Sequence, residues 1–387
     1  MNGDVFLDIL FKKLRVRSKP AVSVPKIELK DPGDILDGVK RNYYAVDGGG
    51  GVIKLEGGRS LYVVRAVAVS KDDIIRDLDA EISYWYGKPI LEAMRSWVEL
   101  ETASRAPIDL TVVDGSYYTM VVKWVTRVLR IALMRAKLSE IVSLPFTLRA
   151  LKALEELTSK KEVVFISKNP SFRIFKNYYV LKKLYEETGE ERYYSLMKDP
   201  SVIKKDLIYQ AKREDLRDYV LLLLNSAVTD LDLLEGEGFS NALELPLPRQ
   251  LRKFAPSLKW AEVVKMAKEY YEMSVGEDLD EPHPNLCNFK VPFIWWYKKG
   301  NTALAIEEVG GRSICSSSSI KEWETFPKLA PKVMGKEGDY PPLLEIAHAL
   351  STLSSSQLMS YASLISSVLD IKMESLREEL ISLSKPK

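Results

Sequence analysis

The chain has 387 residues, 46% of them hydrophobic and 28% charged, which excludes a disordered or fibrous protein and allows a large packed core. Its 56 basic and 54 acidic side chains leave a net charge of +2, so no bulk positive field announces a nucleic-acid binder. The local runs Lys12, Lys13, Arg15, Arg17, Lys19 and Arg127, Arg130, Arg135, Lys137 read first as solvated helix faces. No apolar run reaches the roughly 18–20 residues of a membrane span; Cys287 and Cys315 lack CxxC spacing, which indicates neither a zinc site nor a disulfide framework and points to a reducing cytoplasm.

In chain order, residues 1–17 form a short amphipathic helix without the long apolar stretch of a secretory leader. Pro20, Pro25, Pro32, Gly33 and Gly38 make the next stretch an extended connector, so 1–38 is an N-terminal helix and linker. Residues 43–47 and 61–69 read as strands joined by a turn in the glycine-rich segment after Asp47. Helical spacing follows over 89–105, then a strand over 110–113 that ends at Asp114, helices over 118–137 and 147–158, and a buried strand over 163–166. Alternating strands and helices predict an α/β layered fold. Residues 176–289 are mainly helical, strands return over 291–297 and 302–307, and helices occupy the chain from 341 onward. The expected organisation is one domain over 1–387, its core at 39–175 and 290–387, with a helical insertion at 176–289.

Two apolar strands end in an acid followed by glycine, YYAVDGGGG at Asp47 and LTVVDGSYY at Asp114. Strand-end carboxylates beside glycines suit a hard cation and a phosphate, because Mg²⁺ and Mn²⁺ prefer oxygen ligands and take only one or two protein carboxylates each. Either Asp-Gly pair alone is also a common way to start a turn. Between them the helix MRSWVELETASR carries Glu99 and Glu101, of which only one can face the sheet. Lys168 ends the strand VVFIS and Arg173 follows five residues later, where cations can neutralise a phosphate; a surface lysine is the commoner structural reading. His283 lies between two prolines, whereas His348 sits on an amphipathic helix eight residues after Tyr340, where an imidazole can bind Mn²⁺ or move a proton. Trp295, Trp296 and Tyr297 can stack on bases, although a buried strand is the favoured reading.

Taken in order, AVDGG, VELETASR, VVDGS, FISKN and YPPLLEIAH resemble the NurA nuclease family over about residues 40–350. The resemblance implies an RNase H-like mixed sheet flanked by helices, with a helical insertion. It implies Asp47, Asp114 and His348 as metal ligands, Glu99 (Glu101 as the alternative) completing the acidic cluster, Tyr340 beside it, and Lys168 and Arg173 on the nucleic acid. It further implies a Mn²⁺-dependent deoxyribonuclease, with Mg²⁺ as the alternative ion. That enzyme would be a homodimer that processes single strands and duplex ends by endo- and 5′–3′ exonucleolytic cleavage, in double-strand break repair and homologous recombination beside the hexameric ATPase HerA. Two other readings remain open on the sequence: a non-catalytic DNA-end adaptor that loads such a helicase through the N-terminal helix and a C-terminal helix at 371–384, and an enzyme acting on RNA or hybrids.

Overall fold

The computed structural model describes residues 25–37, 40–199, 216–225, 227–335 and 338–369; the expected N-terminal helix and its basic run, and the expected helix at 371–384, lie outside these. By packing, the described residues form two units, one from those within 25–29 and 171–236 and one from those within 30–170 and 237–369. Of the segment expected as the insertion, 176–236 falls in the first unit, while 237–289 packs with the sheet of the second.

The smaller unit opens with strand β1 (Ile27–Glu28), and the larger with β2 (Tyr44–Leu55), β3 (Arg59–Val69), β4 (Ile74–Ser83), α1 (Lys88–Arg105), β5 (Leu110–Asp114), α2 (Tyr117–Ala132), α3 (Leu138–Val142), α4 (Leu144–Lys160) and β6 (Glu162–Lys168). The chain then supplies the smaller unit with α5 (Ile174–Thr188), α6 (Glu191–Lys198), α7 (Arg217–Leu224) and β7 (Leu234–Glu235). It returns to the larger one with β8 (Gly238–Phe239), β9 (Ala242–Glu244), α8 (Arg249–Arg252), α9 (Ser257–Val275), β10 (Lys290–Lys299), β11 (Thr302–Ser313), β12 (Lys321–Trp323), α10 (Ala330–Val333), α11 (Pro342–Ser351) and α12 (Ser355–Leu369).

In the smaller unit, Val180, Leu181, Leu184, Tyr193, Tyr219 and Val220 bury one face each of α5, α6 and α7. The buried Asp230 caps α5 from a distance in sequence, accepting the Phe175 and Lys176 N–H groups at 3.2 and 2.8 Å. β1 pairs in parallel with β7.

The larger unit is built on a ten-stranded mixed sheet in the order β12-β9-β10-β11-β6-β5-β2-β3-β4, with β8 pairing beside β10. β2, β3 and β4 run antiparallel, and β5 and β6 lie parallel to β2, the RNase H-like arrangement expected. Because successive strand residues alternate between faces, Val46, Val113 and Phe165 point into one apolar layer with α1, α2, α4 and α9. Ala45, Val112 and Ile166 point into the other, which α10 and α11 cover. Trp295, Trp296 and Tyr297 are all buried, as a core strand requires. No helix among the described residues is long and apolar enough to cross a membrane.

Two sequence expectations are corrected. The glycine-rich segment is not a turn: Gly48–Gly51 continue β2 in register with β3, and the reversal comes at Glu56–Gly58. A Cβ on Gly49 would lie 2.2 Å from the Ser351 carbonyl oxygen, and one on Gly51 would lie 2.4 Å from Leu358, so these glycines let α11 and α12 press onto the bare strand. The cysteines do pair: Cys287, just before β10, is bonded to Cys315, just after β11, with Cα atoms 5.2 Å apart. The antiparallel hairpin brings its own ends together, which sequence spacing does not reveal. The bond also withdraws the support that unpaired thiols lent to a reducing compartment.

Candidate metal centre

The register builds the site. Val46 of β2 lies opposite Val113 of β5, so Asp47 and Asp114 are the next residues along neighbouring parallel strands, with side chains on the same face. Asp114 lies opposite Ile166 of β6, which puts Lys168 two residues further along, again on that face. α11 crosses this face close to the Gly49 backbone and brings His348 down beside Asp47. The result is a trio, Asp47, Asp114 and His348, in which one ligand-type atom from each lies within 4.8 Å of the others.

Each member is held. Asp47 is buried and accepts the Gly48 N–H at 2.8 Å on Oδ1 and the Ser351 hydroxyl at 3.1 Å on Oδ2. His348 Nδ1 lies 2.6 Å from the same Oδ2, while the imidazole remains largely open to solvent. The Tyr340 hydroxyl donates to Asp114 Oδ1 at 3.5 Å, and burial, reinforced by the Asp114 charge, raises its pKa. Lys168 Nζ lies 5.4 Å from the Tyr340 ring centroid. Both residues also line a cavity of about 790 Å³ with Tyr297, Lys299, Asp339 and Glu345.

Glu99 is the buried glutamate of its pair, and it approaches β2 from the other side: its Oε2 would lie 3.1 Å from a Cβ on Gly48, whose face is opposite that of Asp47. It is not a member of the trio. Glu101 is half-buried on the same helix. Arg173 is the residue before α5 and belongs to the smaller unit.

Sequence reasoning missed the supports of this site. Ser351 follows His348 by three residues and so shares its helix face, which a helical-face reading would have found. Glu307 and Glu308, consecutive on β11, escape because an acid pair after an apolar run resembles a strand end. Glu307 points to the α2 face, where it is completely buried, accepts the Tyr118 N–H at 2.8 Å and so fixes the first turn of the helix that follows Asp114. Burial raises its pKa to about 7, a shift only partly offset by hydrogen bonds from Ser116 and Tyr118. Glu308 points to the other face and accepts the N–H groups of Lys328, Leu329 and Ala330 at 3.0, 2.6 and 2.9 Å, anchoring the segment that leads to Tyr340. Its pKa is likewise raised by burial. Gly115 makes the turn between Asp114 and α2 at φ 132°, a conformation that side-chain-bearing residues rarely adopt.

Comparison with known proteins adds a family. The family model described as NurA domain matches residues 41–244, just over half of the chain. No curated protein matches it in sequence. Among solved structures, the chain is similar to a crystal structure of NurA with manganese at 11% identity and a TM-score of 0.44, covering 94% of this chain and 97% of that one. A second crystal structure of NurA gives 12% and 0.44, with 97% and 96% covered. One of NurA bound to dAMP and manganese gives 11% and 0.46, with 97% and 94% covered.

Proposed function

The chain belongs to the NurA family, and on that footing we propose that it is a divalent-cation-dependent nuclease that hydrolyses the phosphodiester bonds of DNA. The observation that carries this reading is the convergence of Asp47, Asp114 and His348 on one spot from two parallel strands and a helix. Two carboxylates and an imidazole form an oxygen- and nitrogen-rich donor set without a thiolate, which fits Mn²⁺ and also admits Mg²⁺. A bound cation would supply an acidified water nucleophile and positive charge for the phosphate.

The protein's own groups do the rest. The Gly48 N–H and the Ser351 hydroxyl hold the Asp47 carboxylate in one orientation. Tyr340 offers an O–H donor beside Asp114. Lys168 offers a cation at the same edge, suited to the charge that develops on the phosphate. Glu99 enters the proposal as the acid that lies behind Gly48, on the far face of β2. Arg173 joins the proposal as a phosphate contact. The preference for single strands and duplex ends, the role in end resection and recombination, the homodimer and the partnership with a HerA-type hexameric ATPase belong to the same proposal and rest on family membership.

The test is cleavage of labelled single-stranded and duplex DNA in Mn²⁺ by Asp47→Asn and Asp114→Asn variants, with RNA of the same sequence alongside. Loss of cleavage with an unchanged melting temperature is expected. Undiminished cleavage by both variants overturns the proposal, and RNA cut in preference to DNA overturns its substrate.

A further inference from the structure

Tyr84, Trp85 and Tyr86 follow the edge strand β4 and stand 72%, 37% and 47% exposed. Side chains of this size are mostly buried elsewhere in the molecule, as Trp295 and Trp296 illustrate. Nor is this a loosely held loop. The hydroxyl of the buried Tyr62 donates to the Trp85 carbonyl at 2.8 Å and accepts the Gly87 N–H at 2.9 Å, while Ser83 Oγ accepts the Trp85 N–H at 3.1 Å. Gly87 packs so tightly that a Cβ there would lie 2.5 Å from Ser139 Cβ. The backbone therefore presents the rings from a fixed base.

Cations stand on either side of them. Lys54 Nζ lies 5.8 Å from the Tyr86 ring centroid. Arg59 opens β3 one residue before the Ser60–Ser83 pair, which puts it level with Tyr84, and Lys88 follows at the start of α1. Acids share the neighbourhood: Glu56 at the β2–β3 turn, Glu92, 3.7 Å from Lys88, and Glu81, three residues before Tyr84 on β4. Exposed rings flanked by cations match the two parts of a single nucleic-acid strand, bases with π-faces and phosphates with negative charge.

We propose that Tyr84, Trp85 and Tyr86 form a stacking platform for unpaired bases of single-stranded DNA, with Lys54 and Arg59 on the phosphates. The choice of nucleic acid as occupant rests on the nuclease reading. Asp47 and Lys54 lie seven residues apart on β2, about 23 Å along the strand at ~3.3 Å per residue and, the separation being odd, on opposite faces of it. The platform therefore engages a part of the DNA strand remote from the bond being cut, and only a strand of several nucleotides occupies both places.

The test measures fluorescence anisotropy of labelled 20-mer and 4-mer oligothymidylate on the full chain carrying Asp47→Asn, so that binding is read without cleavage. Replacing Tyr84 and Trp85 together by alanine is expected to weaken the 20-mer about tenfold or more and leave the 4-mer unchanged. Trp85→Phe, which keeps a stacking ring, is expected to retain most of the affinity. Tyr86→Ala, at an exposed ring, is the second probe should the double variant melt early, and it is expected to show the same length-dependent loss. Unaltered 20-mer binding in these alanine variants overturns the proposal. So does a dimer-to-monomer change on sedimentation with DNA affinity intact, which would assign the surface to a second copy of the chain. Persistent cleavage by Asp47→Asn would fault the nuclease reading instead, a result separate from the anisotropy.

Discussion

Substituting Gly49 by alanine asks whether the bare strand is what allows the metal centre to form. The new Cβ would start 2.2 Å from the Ser351 carbonyl oxygen and 2.8 Å from its carbon, where real contacts stay beyond 3.0 Å. The obstruction is backbone at the end of α11, so no side-chain rotation relieves it. The helix must back away by roughly 0.8 Å, carrying His348 and Ser351 from Asp47. Overpacking of this kind costs about 1–3 kcal/mol, and a displacement near 1 Å at reacting groups costs on the order of 10²-fold in rate. Gly310→Ala is the control, because nothing lies within 4 Å of its Cβ and its φ is not positive. Thermal melts and Mn²⁺-dependent cleavage of labelled DNA are expected to show Gly49→Ala several degrees less stable and about a hundredfold slower, with Gly310→Ala near wild type. Wild-type stability and rate in Gly49→Ala would refute the close-approach reasoning.

Two further outcomes follow from the supports. Glu307 has a folded pKa of about 7 against 4.5 for the free group, so between those values the native state binds more protons than the unfolded one. Stability from this group is therefore full at low pH and declines as pH rises from about 4.5 to about 7; melts of Glu307→Gln across that range are expected to lose this component of the slope, and an identical slope in both proteins would contradict it. Reducing the Cys287–Cys315 bond, or replacing both residues with serine, is expected to lower stability by about 2–4 kcal/mol, read as a fall in melting temperature with a phosphine reductant; no fall would mean that the hairpin ends are held by their other contacts alone.

What could be read in the sequence was whatever a local period carries. Apolar alternation stopping at Asp47 and Asp114 marks a strand reaching a functional residue, and the four-residue-and-more apolar spacing of 89–105 marks the helix behind it. The glycine run misleads for a physical reason: glycine is the residue of turns and equally of strands that another backbone must touch, and only the position of α11 separates the two. Likewise nothing local in Glu307 or Glu308 distinguishes a solvent-facing acid from one that collects backbone N–H groups of segments far along the chain. Tyr84, Trp85 and Tyr86 resemble core residues in composition, and their exposure depends on β4 being the sheet's edge.

The placement of Glu307 and Glu308 on one strand has a consequence for how the chain can vary. As neighbours, they serve segments on opposite sides of the sheet, so a one-residue insertion or deletion upstream within β11 would rotate each carboxylate away from its clients and unfasten both at once. Length changes there are thus barred by geometry even where no residue touches substrate. The β10–β11 connection at Gly300 and Asn301 lies outside the paired residues, so an added residue there lengthens the loop and leaves the register of both strands in place.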